Sequence, residues 1–246
     1  MEAKEFVEEL IVKARKAQSE YEKFTQEQAD EIVRACAKAV YDNAEYLARL
    51  AVDETRMGVY EHKIQKNMGK AKVIWNSLKG KKSVGILNRN EETGITEIAR
   101  PVGVVGAVTP CTNPVVTPMC NAMFALKGLN SIIIGPHPRS KNTSYETVRL
   151  MNEAIEKLGA PKNLIQIIEE PTVELSAALM HAVDVVVATG GMPMVRSAYS
   201  SGKPAYGVGA GNVQCIFDRG IDYEKEIPMA IEGRAFDNGI ICSGEQ

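Results

Sequence analysis

PVGVVGAVTPCTNP, residues 101 to 114, opens with an apolar run from Val102 to Val108 that no polar residue interrupts before Thr109-Pro110. Strict alternation would mark a strand with one wet face; a continuous run is what a strand buried on both faces requires. Four further runs share this character: SIIIG (131 to 135), LIQII (164 to 168), DVVVAT (184 to 189) and VQCIF (213 to 217). The gaps between them, at 116 to 128, 141 to 158, 172 to 182 and 192 to 200, read as crossover helices. The pattern predicts an α/β fold, with a parallel sheet of about five strands and helices on both faces.

Working back from Pro101, residues 82 to 100 (KSVGILNRNEETGITEIAR) show short alternating stretches around a polar turn at Asn88 to Gly94, the pattern of a β-hairpin. An exposed two-stranded ribbon is marginal in water, so pairing with a second subunit is expected. The first eighty residues lack proline and repeat apolar residues at helical spacing: Phe6, Leu10, Val12 and Ala14, then Ala29, Ile32, Val33, Ala37 and Val40. They predict a helical layer in which Thr25 and Gln28 form a capping box and Asp42-Asn43 separates a second helix from a third. No candidate functional residue is assigned to this layer. His62 and His181 lack a partner motif and read as structural. The expected division is a helical part at 1–81, an oligomerisation-type hairpin at 82–100, an α/β core at 101–235, and the start of a further domain at 236–246.

Charge and cysteine usage exclude several classes. The 29 basic residues nearly balance the 31 acidic ones, so no overall field favours nucleic acid or an anionic membrane. The odd set Cys36, Cys111, Cys120, Cys215 and Cys242 has no C-x-x-C spacing, against a disulfide framework or a zinc site. A charged N-terminus without a signal-like apolar stretch leads to the expectation of a cytoplasmic protein with small-molecule ligands and no metal.

In a parallel sheet, ligands bind beyond the carboxyl ends of the strands, which directs attention to the loops after Val108, Ile134, Ala188 and Phe217. The first of these, beginning Thr109-Pro110, has no G-x-G-x-x-G, so the usual dinucleotide fingerprint is absent. Thr189-Gly190-Gly191 stands between a strand and a helix and reads either as a tight turn or as an anion site at a helix N-terminus. GPHPRSK (135 to 141) places His137, Pro138, Arg139 and Lys141 in a stiff loop, either a solvated basic turn or a holder of an adenosine phosphate. Near the end, FDNGIICSGEQ puts Cys242 after an Asn-Gly turn among small residues, where it is either a small buried hydrophobe or a reachable nucleophile. Asn113 offers an amide toward a developing oxyanion, although Asn-Pro is also a common turn.

Taken in order and at their spacings, PVGVVGAVTPCTNP, SIIIGPHPRSK, VVVATGG, PAYGVGAGN and FDNGIICSGEQ resemble the aldehyde dehydrogenase superfamily, in particular its coenzyme A-acylating branch, over essentially the whole chain. The resemblance implies a Rossmann-like cofactor domain, NAD or NADP as cofactor and coenzyme A as co-substrate. It further implies Cys242 as nucleophile, Asn113 as oxyanion donor, Thr109, Pro110 and the Thr189-Gly190-Gly191 turn near the dinucleotide, His137, Pro138 and Arg139 around the adenosine ribose, and Val208-Gly209 beside the nicotinamide. In hydrolytic members the segment matching GVGAGN begins with a glutamate that activates water; here that position is Gly207, so a thioester on Cys242 would await a thiol such as coenzyme A.

The activity implied is oxidation of a short aldehyde, succinate semialdehyde or one like acetaldehyde, to its acyl-CoA, and the reverse. Family members run to roughly twice this length, which implies a catalytic domain beyond residue 246, no turnover by this stretch alone, and a homo-oligomer at full length. Two alternatives stand beside it: a non-catalytic dinucleotide-binding module, and a phosphate-releasing reductase of the glutamyl-phosphate reductase type, against which the PHP and FDNGIIC motifs speak.

Overall fold

Strands that are apolar throughout need cover on both sides, and two groups of helices provide it. In the computed structural model, which describes residues 2 to 244, the first four helices are α1 (Ala3–Tyr21), α2 (Gln26–Asp42), α3 (Ala44–Thr55) and α4 (Tyr60–Leu78). The hairpin β1 (Gly85–Asn90) and β2 (Ile95–Ala99) follows, and then β3 (Val104–Val108), α5 (Val116–Lys127), β4 (Ser131–Gly135), α6 (Lys141–Glu156), β5 (Ile165–Ile167), α7 (Val173–Ala182), β6 (Val185–Thr189), α8 (Met192–Tyr199), β7 (Ala205–Val208) and α9 (Tyr223–Ala235). Among the described residues no helix is long and apolar enough to cross a membrane.

The main sheet has the order β5-β4-β3-β6-β7, all parallel. Along β3 and β4 the side chains divide between two cores. Val105, Ala107, Ile132 and Ile134 pack with α2, α4, α5 and α6, whereas Val104, Val108 and Ile133 pack with Val7 and Ile11 of α1 and Leu179 and Met180 of α7. This division is why the runs show no alternation: both faces are interior, and each fully buried Val, Leu or Ile contributes about 1.5–3 kcal/mol.

Two expectations are corrected. VQCIF is not a strand of this sheet; the fifth strand is β7, within PAYGVG. Only residues 209 to 212 separate β7 from Val213, too few for the crossover that a parallel neighbour needs, and Ile216 stands 88% exposed. In α1 the buried stripe is Val7, Ile11, Ala14, Ala17 and Tyr21, with Phe6 and Leu10 flanking it and Val12 facing solvent. The remaining crossover helices lie where the gaps predict them, and Thr25 and Gln28 make the reciprocal capping box.

The entry to the sheet is pinned by one carboxylate. Asp184, just before β6, receives both Arg15 nitrogens of α1 at 2.9 Å and the Val104 amide of β3 at 2.8 Å. Gly103 sits beneath it at φ 115°, where a Cβ would lie 2.3 Å from the Asp184 carboxylate. Gly103→Ala therefore combines backbone strain with loss of this junction and should destabilise by roughly 1–3 kcal/mol. A fall in Tm of several degrees is expected in thermal unfolding; an unchanged Tm would remove Gly103 from the junction.

Candidate active site

The register of the sheet decides which loops meet. Val108 is level with Gly135 on one side and Ala188 on the other, and Thr189 is level with Val208. All four strands run the same way, so Thr109-Pro110, His137 to Arg139, Gly190-Gly191 and Gly209 lie in a row along one edge. The chain winds outward from β3 in both directions, and the crevice between the ends of β3 and β6 is the switch point where such sheets take ligands. The loop after Phe217 does not belong to this edge, because its run is not in the sheet; the loop after Val208 takes its place.

Each loop has a local reason for its shape. The Thr109 amide continues the ladder to the Gly135 carbonyl at 3.0 Å, while the buried Thr109 hydroxyl has no hydrogen-bond partner among the described residues. His137 caps a short 3-10 turn, its Nδ1 accepting the Arg139 amide at 3.1 Å, and partial burial together with the Arg139 charge holds it below the ordinary histidine value. The Arg139 guanidinium donates to the Thr55 carbonyl at the end of α3, and Lys141 pairs with Glu170, so both cations of this loop already have partners in the chain. Glu170 is 81% exposed, which makes the lysine pair weak and easily exchanged.

Gly191 is the N-cap of α8, and the Gly190 amide donates to the Val208 carbonyl at 3.1 Å. A Cβ on either glycine would meet only Met194 or Pro193 at ordinary contact distances of 3.6 to 3.7 Å. Packing inside the chain therefore leaves room over this turn. Gly207 is the opposite case: a Cβ there would sit 2.6 Å from Val195 Cγ1 and 3.0 Å from the Tyr199 ring, both on α8, and the Tyr199 hydroxyl lies 3.3 Å from the Gly207 amide. A side chain at position 207 would have to displace the Val195 and Tyr199 side chains of α8.

Asn113 is partly buried, with its carbonyl accepting the Thr117 amide and its side-chain nitrogen 3.5 Å from the Thr112 hydroxyl. Cys242 is exposed. Its loop is held beyond the end of β7 and against α4. The Cys242 carbonyl abuts Gly211, where a Cβ would lie 2.2 Å from it. Upstream, the loop leaves α9 through Phe236, which stacks on His62 at 4.5 Å, and then through Asp237, Asn238 and Gly239, all in the left-handed region at φ 53°, 56° and 69°. Left-handed backbone costs a non-glycine residue roughly 1–2 kcal/mol.

A fully buried Asp237 side chain offsets that cost. It accepts the Val59 amide at 2.9 Å and the ammonium of Lys63 at 3.3 Å, and it pairs with Lys66, while the Asp237 amide donates to His62 Nδ1 at 2.9 Å. Burial alone would raise the Asp237 carboxyl, but hydrogen bonds from Lys66 and the Val59 amide and the charges of both lysines more than offset it and hold it below the usual carboxylate range. Its stabilisation is thus present above the ordinary carboxylate pKa and is lost as pH falls through the depressed one.

The N-terminal layer, to which no functional residue was assigned, supplies this clamp. The signal was the stripe of α4: stepping back at helical spacing from Ile74 and Ala71 lands on Asn67, Lys66 and Lys63, all buried. The same layer also reaches the Asn113 loop, where Cys111 Sγ lies 3.9 Å from Met57.

Comparison with known proteins adds to this geometry. The family described as "Aldehyde dehydrogenase family" matches residues 1–246. Among curated relatives, succinate-semialdehyde dehydrogenase (acetylating) of Clostridium kluyveri is 56% identical over 240 residues, 98% of this chain and 53% of that protein. Among solved structures, an acetylating aldehyde dehydrogenase from Geobacillus thermoglucosidasius superposes with a TM-score of 0.95 at 42% identity, over 99% of this chain and 54% of that one. A Rhodopseudomonas palustris propionaldehyde dehydrogenase with bound CoA and an acylated cysteine superposes with a TM-score of 0.85 at 33% identity, over 97% and 55%. The chain spans about half the length of each of these three.

The packing at position 207 can be tested directly. Gly207→Ala should destabilise by roughly 1–3 kcal/mol, as overpacking does, and Val195→Ala in the same chain should recover part of that loss because it vacates the space the new methyl needs. Chemical denaturation of the two single variants and the double variant measures the coupling; additive losses would show that Val195 is not what closes the position.

Proposed function

The chain belongs to the aldehyde dehydrogenase family, and from that premise we propose that it forms the cofactor half of a coenzyme A-acylating aldehyde dehydrogenase with Cys242 as nucleophile. The observation that carries this reading is Gly207 on β7, a position closed by the Val195 and Tyr199 side chains. A carboxylate placed there could activate water against a thioester on Cys242. The chain carries no carboxylate there, and the Val195 and Tyr199 side chains of α8 fill the space one would enter, so a thiol, which attacks thioesters without that base, becomes the acceptor.

The residues of the sheet edge suit a nicotinamide dinucleotide. Packing inside the chain does not demand glycine at 190 or 191, so their backbone is free for close approach by a pyrophosphate at the start of α8. His137, Pro138 and Arg139 would flank the adenosine ribose, and Thr109, Pro110, Val208 and Gly209 the middle and nicotinamide end. When bound, the nicotinamide supplies the hydride acceptor. The discrimination between NAD and NADP falls to Arg139 and Lys141, whose present partners are a backbone carbonyl and an exposed glutamate.

The chain's own contribution is to hold the sulfur. Cys242 adds to the aldehyde carbon, the Asn113 amide receives the oxyanion, and after oxidation the acyl group remains on sulfur until the coenzyme A thiol displaces it. Succinate semialdehyde is the first choice of aldehyde, by likeness to the acetylating succinate-semialdehyde dehydrogenase. On the isolated hairpin Ile86, Ile95 and Ile98 are exposed, which supports association with a second copy.

Run in reverse, the last step needs no nicotinamide: the Cys242 sulfur attacks an acyl-CoA, the new carbon–sulfur bond forms, and the coenzyme A thiolate leaves. Incubation with succinyl-CoA or acetyl-CoA, followed by peptide mass analysis, should find the acyl group on the peptide bearing Cys242 and not on exposed Cys215. Acylation that survives Cys242→Ala at the same rate would defeat the assignment. In a separate titration, NAD and NADP should shift the backbone amides of residues 135–141 and 189–191; shifts confined to α1 to α4 would move the cofactor site elsewhere.

A further inference from the structure

Two lysines of α4 are interior, at 2% exposure for Lys63 and 6% for Lys66. Buried ammonium groups are costly unless paired. Among the described residues, the carboxylate that meets either of them is the same one, Asp237. When both lysines are charged, two positive charges face one negative, and one positive charge is left without a carboxylate of its own among the described residues. Holding the loop would require only one lysine, at a smaller desolvation cost. The second is unexplained by the clamp itself and calls for another anion nearby.

We infer that Lys63 and Lys66 are positioning residues for Cys242: seated on Asp237, they lock the left-handed turn that presents the sulfur, and their excess positive charge stabilises the negative charge that sulfur carries as it attacks. This rests on the reading of Cys242 as the nucleophile. The turn and the sulfur belong to one short loop, held at Asp237 by α4 and at the Cys242 carbonyl by Gly211. Gly58 completes the seat, since at φ 81° it approaches so closely that a Cβ would lie 2.2 Å from the Asp237 carboxylate and 2.9 Å from Lys63 Cε.

Burial, and then repulsion by Lys63, press Lys66 below the ordinary lysine value, opposed by Asp237 and, least, by the charge Cys242 would carry as an anion. Such an interaction is mutual, so the Lys66 ammonium acts on an anionic sulfur as that sulfur acts on it. The other polar groups set around this loop are His62 of α4, which accepts the Asp237 amide, and Arg234 of α9, which donates to the Gly239 carbonyl at 3.2 Å.

Charge and mere support can be separated with two alkylating reagents of similar size, neutral iodoacetamide and anionic iodoacetate. Their rates are measured at Cys242 and, in the same protein, at exposed Cys215. An excess positive charge near Cys242 raises the iodoacetate-to-iodoacetamide rate ratio there above the ratio at Cys215. Lys66→Met should lower the Cys242 ratio several-fold, up to about tenfold, with no change at Cys215, and Lys66→Arg should keep it. Lys63→Met removes the same charge from the other side and carries the same expectation should Lys66→Met fail to fold. If both methionine variants slow the two reagents equally and leave the ratio unchanged, the lysines only support the loop and the inference is wrong. That failure is distinct from failure of the nucleophile assignment, which the acyl-transfer experiment on Cys242→Ala reads.

Discussion

Five strands that all run the same way cannot be joined by tight turns, and this constraint arranges everything else in the molecule. Each return to the start of the sheet requires a crossover, and α5, α6, α7 and α8 are those crossovers. They cover both faces, which is why the strands can be apolar throughout. The same condition sends every carboxyl end to one edge, so that loops separated by a hundred residues in sequence, such as Thr109 and Val208, come to lie in one row. The junction of Arg15, Asp184 and Gly103 at the opposite edge fixes where β3 and β6 begin, and thereby where they end.

The Cys242 loop is attached to this frame by different means. Its approach through α9 buries little, since α9 has no buried residue. What holds it is polar and local: a buried carboxylate, two buried ammonium groups and an amide from the link between α3 and α4. Such a cluster is a poor source of net stability, because desolvation cancels much of the attraction. It is a strong source of geometry, since each member would be left buried and unpaired if the loop moved.

How much of this was legible depended on whether burial and residue type agreed. β3, β4, β5 and β6 were legible because doubly covered strands are apolar at nearly every position, Gln166 of β5 being an interior exception. β7 was not: with alternately half-buried and exposed residues and a glycine at its centre, AYGV resembles a turn, whereas the exposed VQCIF resembles a core strand. In α1 two apolar stripes lie one residue apart, and packing against the sheet and α7 selects the one through Val7 and Ile11. The loops along the sheet edge were legible from the parallel strands that end there, whereas the role proposed for Cys242 came from motif order. Lys63 and Lys66 were hidden because lysine at helical spacing reads as a wet face, and Asp237 because Asp-Asn-Gly reads as an ordinary turn. Only extending the apolar stripe of α4 past its last apolar residue would have exposed them.

On the function proposed, the packing of one helix bears on the fate of the acyl group. Val195 and Tyr199 of α8 close over Gly207, and the Tyr199 hydroxyl lies within reach of its amide and carbonyl, so the backbone there is occupied from above. A thioester is stable toward neutral water without a base but exchanges readily with another thiol. An enzyme that must hand its acyl group to a thiol therefore gains by denying water a base, and a glycine whose neighbouring space is filled by Val195 and Tyr199 offers none. The same helix begins at Gly191, where the backbone is open toward the expected pyrophosphate. One element of eight residues would then serve two ends, offering its N-terminus to the cofactor while its side chains deny water a base at Gly207.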